Sequence, residues 1–249
     1  MVLALLADIH ANLEALSACL AHARERGAVR LAFLGDLVGY GADPGAVVDI
    51  VAEHAAHGAV AVLGNHDAAI FGDDAYLNDS AAAAIEWTRT VLTPAQRAFL
   101  EALPLAVHEE RACFVHASAA MPGRWDYVDS PRAAERSSRA AERPYTFSGH
   151  VHDQLLYGSD ALDRMVPFRP RPGVSIPVAA HRSWLVLAGS VGQPRDGTPA
   201  AAYALADLEA MRITFHRVPY DHDRAASKVR AAGLPEVLAY RLELSLIHI

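Results

Sequence analysis

The stretch Val2-Leu3-Ala4-Leu5-Leu6-Ala7-Asp8-Ile9-His10-Ala11-Asn12 decides the fold. Val2 to Ala7 is an unbroken apolar run with no basic residue before it. It runs straight into an Asp-x-His pair, so it reads as a buried first strand and not as a signal peptide. After it, Leu13, Leu16 and Leu20 recur at helical spacing behind Asn12, a suitable N-cap, and Gly27 is the stop signal. The same plan then repeats. Leu31 to Leu34 ends in Gly35-Asp36, a glycine-rich turn carries Tyr40, and a helix starts near Pro44. Val60 to Leu63 then runs into Gly64-Asn65-His66-Asp67. Met1 to Leu63 thus predicts strand, helix, strand, helix, strand, a parallel α/β half with right-handed crossovers. Asp8, Asp36 and Asn65 each stand at or just after the end of a strand, where open α/β sheets gather their ligands.

Further along, Thr93-Pro94 opens a helix through Ala102, because Thr caps and Pro suits the first helical position. Ala112 to Val115 predicts a strand leading to His116, and Tyr145 to Ser148 another leading to Gly149-His150-Val151-His152. The Pro-rich text from Met165 to Pro177 reads as a surface loop in preference to a substrate lid. Trp184 to Leu187, Ala201 to Leu205 and Met211 to Val218 follow as short strands of a second, mostly antiparallel sheet.

Two adjacent dications need oxygen and imidazole donors of modest charge, with one carboxylate able to bridge both. The carboxylates of Asp8 and Asp36, the amide of Asn65 and the imidazoles of His10, His116, His150 and His152 make such a set. Asp36 is the expected bridge. Asp8, His10 and His152 join it on one ion, and Asn65, His116 and His150 on the other, which leaves room for a bridging water that ionises near neutral pH. Taken singly each motif has a plainer reading, an Asp after a strand as a helix cap and a lone His as a core residue. Their shared position at strand ends is what joins them into the chemistry of metal-assisted phosphoester hydrolysis.

These residues carry a family resemblance. The succession Asp8-x-His10, Gly35-Asp36, Gly64-Asn65-His66-Asp67, His116 and Gly149-His150-Val151-His152 resembles the signature of the calcineurin-like metallophosphoesterase superfamily. The strings Asp8 to Asn12, Gly35 to Gly41 and Gly189-Ser190-Val191-Gly192-Gln193-Pro194-Arg195-Asp196 are similar to its small prokaryotic branch, described as phosphodiesterase-like or related to dinucleoside polyphosphate hydrolases. The similarity runs from Met1 to about Arg241. It implies an α/β fold, a four-layer αββα sandwich of two mixed β-sheets flanked by helices. Two positions depart from the branch. Ala11 stands where Gly is usual, which asks that the backbone there avoid positive φ. Leu187 and Ala188 replace Asn-Pro, which puts the loop presenting Arg195 in question.

The expected mechanism is in-line attack on phosphorus by a metal-bridging hydroxide. His66 is the expected general acid, with Asp67 orienting its ring. The other reading of His66 is a hydrogen bond to substrate alone. Asn12 and Arg195 are candidates for phosphate contact, Arg195 because a guanidinium grips phosphate oxygens in pairs. Their plainer roles are a helix cap and a surface residue beside Asp196. Trp125, Tyr127 and Tyr40 offer an aromatic wall or ordinary packing. The remaining histidines fit no ligand spacing.

Composition narrows the class. With 249 residues, 52% of them hydrophobic, the chain can bury a large core, and residues 1–243 are expected to form one catalytic domain. The net charge of -7 and a single lysine, Lys228, argue against a nucleic-acid polymer as partner and for a small phosphoester. No apolar run approaches the roughly 20 residues of a membrane span, and the expected location is the cytoplasm. Cys19 and Cys113 read as buried small apolar residues. Two dications less two carboxylates leave a formal charge of about +2, which mildly favours a phosphodiester. Manganese is the working expectation for the metal, although such mixed sites also accept iron, zinc, nickel or cobalt. A dinucleoside polyphosphate hydrolase or a protein serine/threonine phosphatase would share this metal core. A non-catalytic scaffold would be expected to lose ligands or His66, and none is missing. Leu244 to Ile249, apolar and uncharged, reads as a non-native or disordered tail.

Overall fold

In a computed structural model, residues 1–72 and 77–246 are described. Strand β1 (Val2–Leu6) is buried at all but its first position, so it needs a neighbour on each side. It pairs in parallel with β2 (Ala28–Phe33), which pairs in parallel with the short β3 (Val60–Ala61). Helix α1 (Leu13–Glu25) makes the first crossover, started by Asn12, whose Oδ1 accepts the Ala15 N–H at 3.1 Å. Helix α2 (Pro44–Ala56) makes the second and begins at the predicted proline. The one-turn-plus α3 (Asn65–Ala69), then α4 (Asp79–Val91) and α5 (Pro94–Glu101) follow. Thr93 and Gln96 close a reciprocal capping box on α5.

The second sheet starts with β4 (Ala106–His108) and β5 (Ala112–Val115). A 3-10 turn at Pro122–Arg124 and helix α6 (Pro131–Ala141) lead to β6 (Tyr145–Ser148) and β7 (Gln154–Ser159). Next come β8 (Met165–Phe168), β9 (Ser175–Pro177), β10 (Trp184–Ala188), β11 (Ala201–Asp207), β12 (Arg212–Val218), α7 (His222–Ala231) and α8 (Glu236–Leu244). Two six-stranded sheets result, ordered β3-β2-β1-β11-β12-β9 and β4-β5-β6-β10-β7-β8. Both are mixed and flanked by helices, which is the sandwich expected.

One expectation needs correcting. The strands after His152 do not form a sheet of their own. β11 adds antiparallel to β1 in the first sheet, and β10 adds parallel to β6 in the second. Each parallel half offered an apolar strand with an unpaired edge, and the later strands satisfy both edges. The Pro-rich segment is likewise not a plain loop. It supplies β8 and β9, one edge strand of each sheet, and Pro167 and Pro177 sit in them because only an edge strand can spare the amide hydrogen bond.

Leu3, Leu5, Leu34, Val62, Phe114, Phe147, Val186 and Phe215 fill the space between the sheets. Leu6, Phe33, Leu16, Val47 and Val51 join the first sheet to α1 and α2, while Ala133 and Ala134 of α6 cover Tyr157, Leu185 and Leu187 of the second. Each fully buried Leu or Phe is worth about 1.5–3 kcal/mol, so the two sheets are held apart at a set spacing by a dense apolar layer. A further cluster ties Tyr40 to α4, α7 and α8 through Ala84, Ala226, Leu238 and Leu242. Cys19 and Cys113 are buried free thiols. Of the apolar tail, Leu244 closes α8 and Ser245 is fully buried, its hydroxyl donating to the Pro194 carbonyl at 2.9 Å. Chain contacts therefore extend past residue 243, and the rest of the expectation for the tail falls on Ile247 to Ile249, outside the described residues. No helix among the described residues is long and apolar enough to cross a membrane.

Candidate metal centre

Every predicted donor lies just past the carboxyl end of a strand. β1 leads to Asp8 and His10, β2 to Asp36, β3 to Asn65, β5 to His116, and β6 to His150 and His152. The turns cross each other closely: Asp8 N–H donates to Gly35 O at 3.1 Å, His10 N–H to Asp36 O at 2.9 Å, and Ala11 N–H to Leu37 O at 2.8 Å. Crossing this tight forces left-handed backbone on Asp8 (φ 53), His10 (φ 50), Asp36 (φ 52), His150 (φ 68) and His152 (φ 67). Such conformations cost an L-residue roughly 1–2 kcal/mol each and gather where function requires them. Ala11 shares the conformation at φ 52, which corrects the expectation that it avoids positive φ. The Ala11 N–H donated to the Leu37 carbonyl and the Asp43 N–H donated to the Ala11 carbonyl at 3.0 Å hold it there. Gly64 is required by contact: a Cβ on it would collide with the Asp36 backbone nitrogen.

The donors form two groups with Asp36 between them. His10 Nδ1 donates to Val38 O at 3.2 Å and His152 Nδ1 donates to Gln193 O at 2.7 Å. Both Nε2 atoms are thereby left without a proton, yet they face each other at 3.2 Å. His116 Nδ1 donates to Leu34 O at 2.8 Å, so its bare Nε2 faces Asn65 Oδ1 at 2.9 Å and His150 Nδ1 at 3.1 Å. The facing lone pairs of His10 and His152 are the arrangement a cation satisfies, and carbonyl partners on the far nitrogen are the usual way a protein fixes such tautomers. Asp36 turns Oδ2 toward His10 Nε2 at 3.7 Å and Oδ1 toward His116 Nε2 at 3.5 Å. Asp8 Oδ1 lies 3.7 Å from His152 Nε2. Asp8, His10 and His152, then His10, Asp36 and His66, then Asp36, His116 and His150, each bring ligand atoms within 4.8 Å of one another, and each group could hold a metal ion.

Burial governs the protonation of the site. It pushes the Asp8 carboxyl well above its usual range, helped by the charge of Asp36, and opposed by the His150 N–H at 2.9 Å. Burial also raises Asp36, against the His66 N–H it accepts at 2.8 Å. The same desolvation lowers His116 to about 4, His150 to about 2 and His66 to about 3, with neighbouring imidazoles adding to the last two. His10 and His152 fall well below their usual value for the same first reason. Neutral imidazoles already offer the lone pairs a divalent cation needs, and its charge would ionise the carboxyls beside them.

The outer residues depart from expectation in two ways. Asp67 does not orient His66: its Oδ1 accepts Leu37 N–H at 2.9 Å and Val38 N–H at 3.1 Å, and its Oδ2 accepts Gly64 N–H at 2.9 Å. It clamps the backbone around Asp36, because three amides left by the crossing turns need an acceptor. His66 Nδ1 is buried with no hydrogen-bond partner, and the ring lines the cavity beside Asp36, 4.9 Å from that of His10. Asn12 is spent structurally, capping α1 and donating to Gly192 O at 2.9 Å and the Tyr220 hydroxyl at 3.1 Å, so it has no free donor for phosphate.

Arg195 does reach the cavity. Leu187 and Ala188 extend β10, and Ser190, Val191 and Gly192 then fasten the loop to Ala7 and Asp8 through their own donors. Arg195 Nη2 donates to Gln193 Oε1 at 3.0 Å, and the guanidinium lies 5.9 Å from the centre of the Tyr40 ring. Tyr127 stacks on His150 at 4.1 Å, while Tyr40 contacts His10 and His66. Trp125 joins both tyrosines in lining an adjoining cavity of about 320 Å³. Two residues were not anticipated. Gln193 sits within the quoted Gly189 to Asp196 string, so that motif could have flagged it. Arg241, which lines the metal cavity from α8, has no motif around it.

Comparison with known proteins supplies the family. The sequence model of the calcineurin-like phosphoesterase superfamily domain matches residues 1–211. The chain therefore belongs to the calcineurin-like phosphoesterase superfamily, and membership implies metal-dependent phosphoester hydrolysis. Among its relatives, an uncharacterized protein of Methanocaldococcus jannaschii is 33% identical over 98% of each chain. A crystal structure of a metallophosphoesterase from Sphaerobacter thermophilus is 36% identical and superposes with a TM-score of 0.89 over 99% of each chain. A hypothetical protein from Pyrococcus horikoshii shares the fold at 21% identity, with a TM-score of 0.77 over 97% of each chain.

Proposed function

We propose that this protein hydrolyses small phosphodiesters with two divalent cations, manganese being the first expectation. Asp8, His10, Asp36 and His152 would hold one, and Asp36, Asn65, His116 and His150 the other. The observation that carries this reading is the pair of Asp36 oxygens, one turned toward each cluster of imidazole nitrogens. Bound there, two dications would supply an ionised water near neutral pH and offset the charge developing on the phosphoryl oxygens.

The chain's own residues do the rest. The carbonyls of Val38, Leu34 and Gln193 hold three imidazoles in one tautomer, so no reorientation is needed when a cation arrives. His66 stands at the cavity with an uncommitted ring nitrogen and is placed to hand a proton to the leaving oxygen. Burial and the charges of His116 and Arg195 keep that ring neutral in isolation, so its protonated form depends on the arrival of an anionic substrate. Arg195 is placed to meet phosphate oxygens.

The test is a panel of bis-aryl phosphate, aryl monophosphate, diadenosine tetraphosphate and a phosphopeptide, each with manganese, alongside metal analysis. Preference for the diester with two ions per chain is expected. Preference for the monoester or phosphopeptide, or full activity with one ion, overturns the reading. His66→Ala should depress turnover of a diester with a poor leaving group at least about tenfold more than one with a good leaving group. Equal losses would remove leaving-group protonation from its role.

A further inference from the structure

Arg195 and Arg241 converge on the cavity of about 120 Å³ that holds Asp36, Asn65, His66, His150 and His152, with Tyr40 beside them. Arg195 enters from the loop after β10, and Arg241 from the last turn of α8. Several arginines elsewhere are matched by carboxylates: Arg30 by Glu109 at 2.7 Å, Arg217 by Asp196 at 2.8 Å and Arg230 by Glu243 at 2.6 Å. Among the described residues these two make no ion pair. Arg195 leans on Gln193 and the Tyr40 ring, and the Arg241 Nε is buried without a hydrogen-bond partner. Burial, and the neighbouring charge of Arg195, hold the Arg241 guanidinium below its usual pKa. Two like charges on one small cavity repel unless an anion lies between them.

Charge balance indicates which anion. Two dications less Asp8 and Asp36 leave an excess of about +2, which a nucleophilic hydroxide and a singly charged diester take up. The Asp67 charge is already met by three backbone amides. The two guanidiniums therefore remain for a group other than the scissile one, and a phosphate dianion matches them in charge and in donor geometry. Arg241 also lies beyond residue 211, where the match to the superfamily domain stops. It is an addition by the C-terminal helices, anchored through the apolar contacts of α8 with Tyr40.

We propose that Arg195 and Arg241 form a second anion subsite that binds a phosphate of the substrate other than the one hydrolysed. The preferred substrates are then phosphodiesters carrying an additional phosphate group. This rests on the phosphodiesterase reading above for the identity of the reaction, but not for the binding itself.

The matched probes are thymidine 5′-(p-nitrophenyl phosphate) and the same compound with a 3′-phosphate, assayed on the manganese-loaded full chain. The wild type should prefer the 3′-phosphorylated compound in kcat/KM. Arg241→Ala should reduce that preference by about tenfold, chiefly through KM, since a charge-assisted hydrogen bond is worth about that factor. Arg241→Lys should retain more of the preference than Arg241→Ala, which separates charge from any loss of folding. A preference that is absent in the wild type, or equal in all three proteins, overturns the subsite. Calorimetric titration of the chelated protein with inorganic pyrophosphate gives a readout free of catalysis. Wild-type binding weakened about tenfold by Arg241→Ala supports the subsite, and equal or absent binding counts against it. If neither ester is hydrolysed, the reaction assigned above fails, and the titration alone decides the subsite.

Discussion

Ala11 carries a buried methyl group at φ 52, a conformation that glycine adopts without strain. Replacing it by Gly relieves about 1–2 kcal/mol of left-handed strain. Against this stand about 0.8 kcal/mol for the lost methyl and about 0.4–1 kcal/mol for a freer unfolded chain. Ala11→Gly should therefore unfold in urea within about 1 kcal/mol of the wild type. Ala11→Val, β-branched in a region such residues shun, should lose more than about 2 kcal/mol. A large loss for the glycine variant would mean that methyl packing, not backbone geometry, governs the position. The donor residues themselves were legible because each stands at or just after a strand end inside a short motif. The strain on Ala11 was not, because distant amides and carbonyls impose it: Leu37 O from the turn after β2, and Asp43 N from the approach to α2. Arg241 was equally silent, since a single arginine on an amphipathic helix acquires meaning only once that helix packs beside Tyr40.

Helix α3 and the turn after β2 work as one element because Asp67 joins them. Its carboxylate accepts three amides, from Leu37, Val38 and Gly64, and Asp36 and Asn65 lie beside those positions. Asp67→Asn replaces one acceptor oxygen by a donor, leaving at least one buried N–H unmatched at roughly 1–3 kcal/mol and weakening the others. A fall in stability of about 2–4 kcal/mol in urea unfolding is expected, with weaker metal affinity. If instead stability held and only the acid limb of the pH–rate profile moved, Asp67 would be serving His66 after all. Among elements, strands ending in motifs were read nearly to the residue, as with Ala112–Val115 and Tyr145–Ser148. Partner choice was not. Apolar patterning states that β10 and β11 are buried on both faces, but it does not state which sheet has the open edge. Proline in β8 and β9 reads as a loop signal in the sequence, although an edge strand tolerates it equally well.

Across the whole molecule the site joins the two sheets: the first supplies Asp8, His10, Asp36 and Asn65, the second His116, His150 and His152. Occupancy by cations should therefore stabilise the protein globally, by an amount that grows with free metal over its dissociation constant. Protons compete with the cations for the carboxylates. Burial raises Asp36 from 3.8 to about 8 and Asp67 to about 7, so their contribution is complete below pH 3.8 and is lost as pH rises toward 8. His66, His116 and His150 are depressed from 6.5 to about 3, 4 and 2, so their contribution is present above pH 6.5 and lost as pH falls. Between pH 4 and 6.5 the two sets oppose each other. Above 6.5 the unfolded imidazoles lose their remaining protons, and the carboxylates, titrating toward 8, set the slope. The chelated protein should thus lose stability from pH 6.5 to 8, whereas the manganese-loaded protein, with its carboxylates already ionised against the cations, should not. Asp36→Asn should make the chelated protein more stable at pH 8 than the wild type, by about 1–3 kcal/mol, while reducing metal stoichiometry and abolishing turnover. Urea unfolding at the two pH values, with chelator and with manganese, reads all of these. A chelated wild type as stable at pH 8 as at 6.5 would show that the buried carboxylates do not set the energetics of the site.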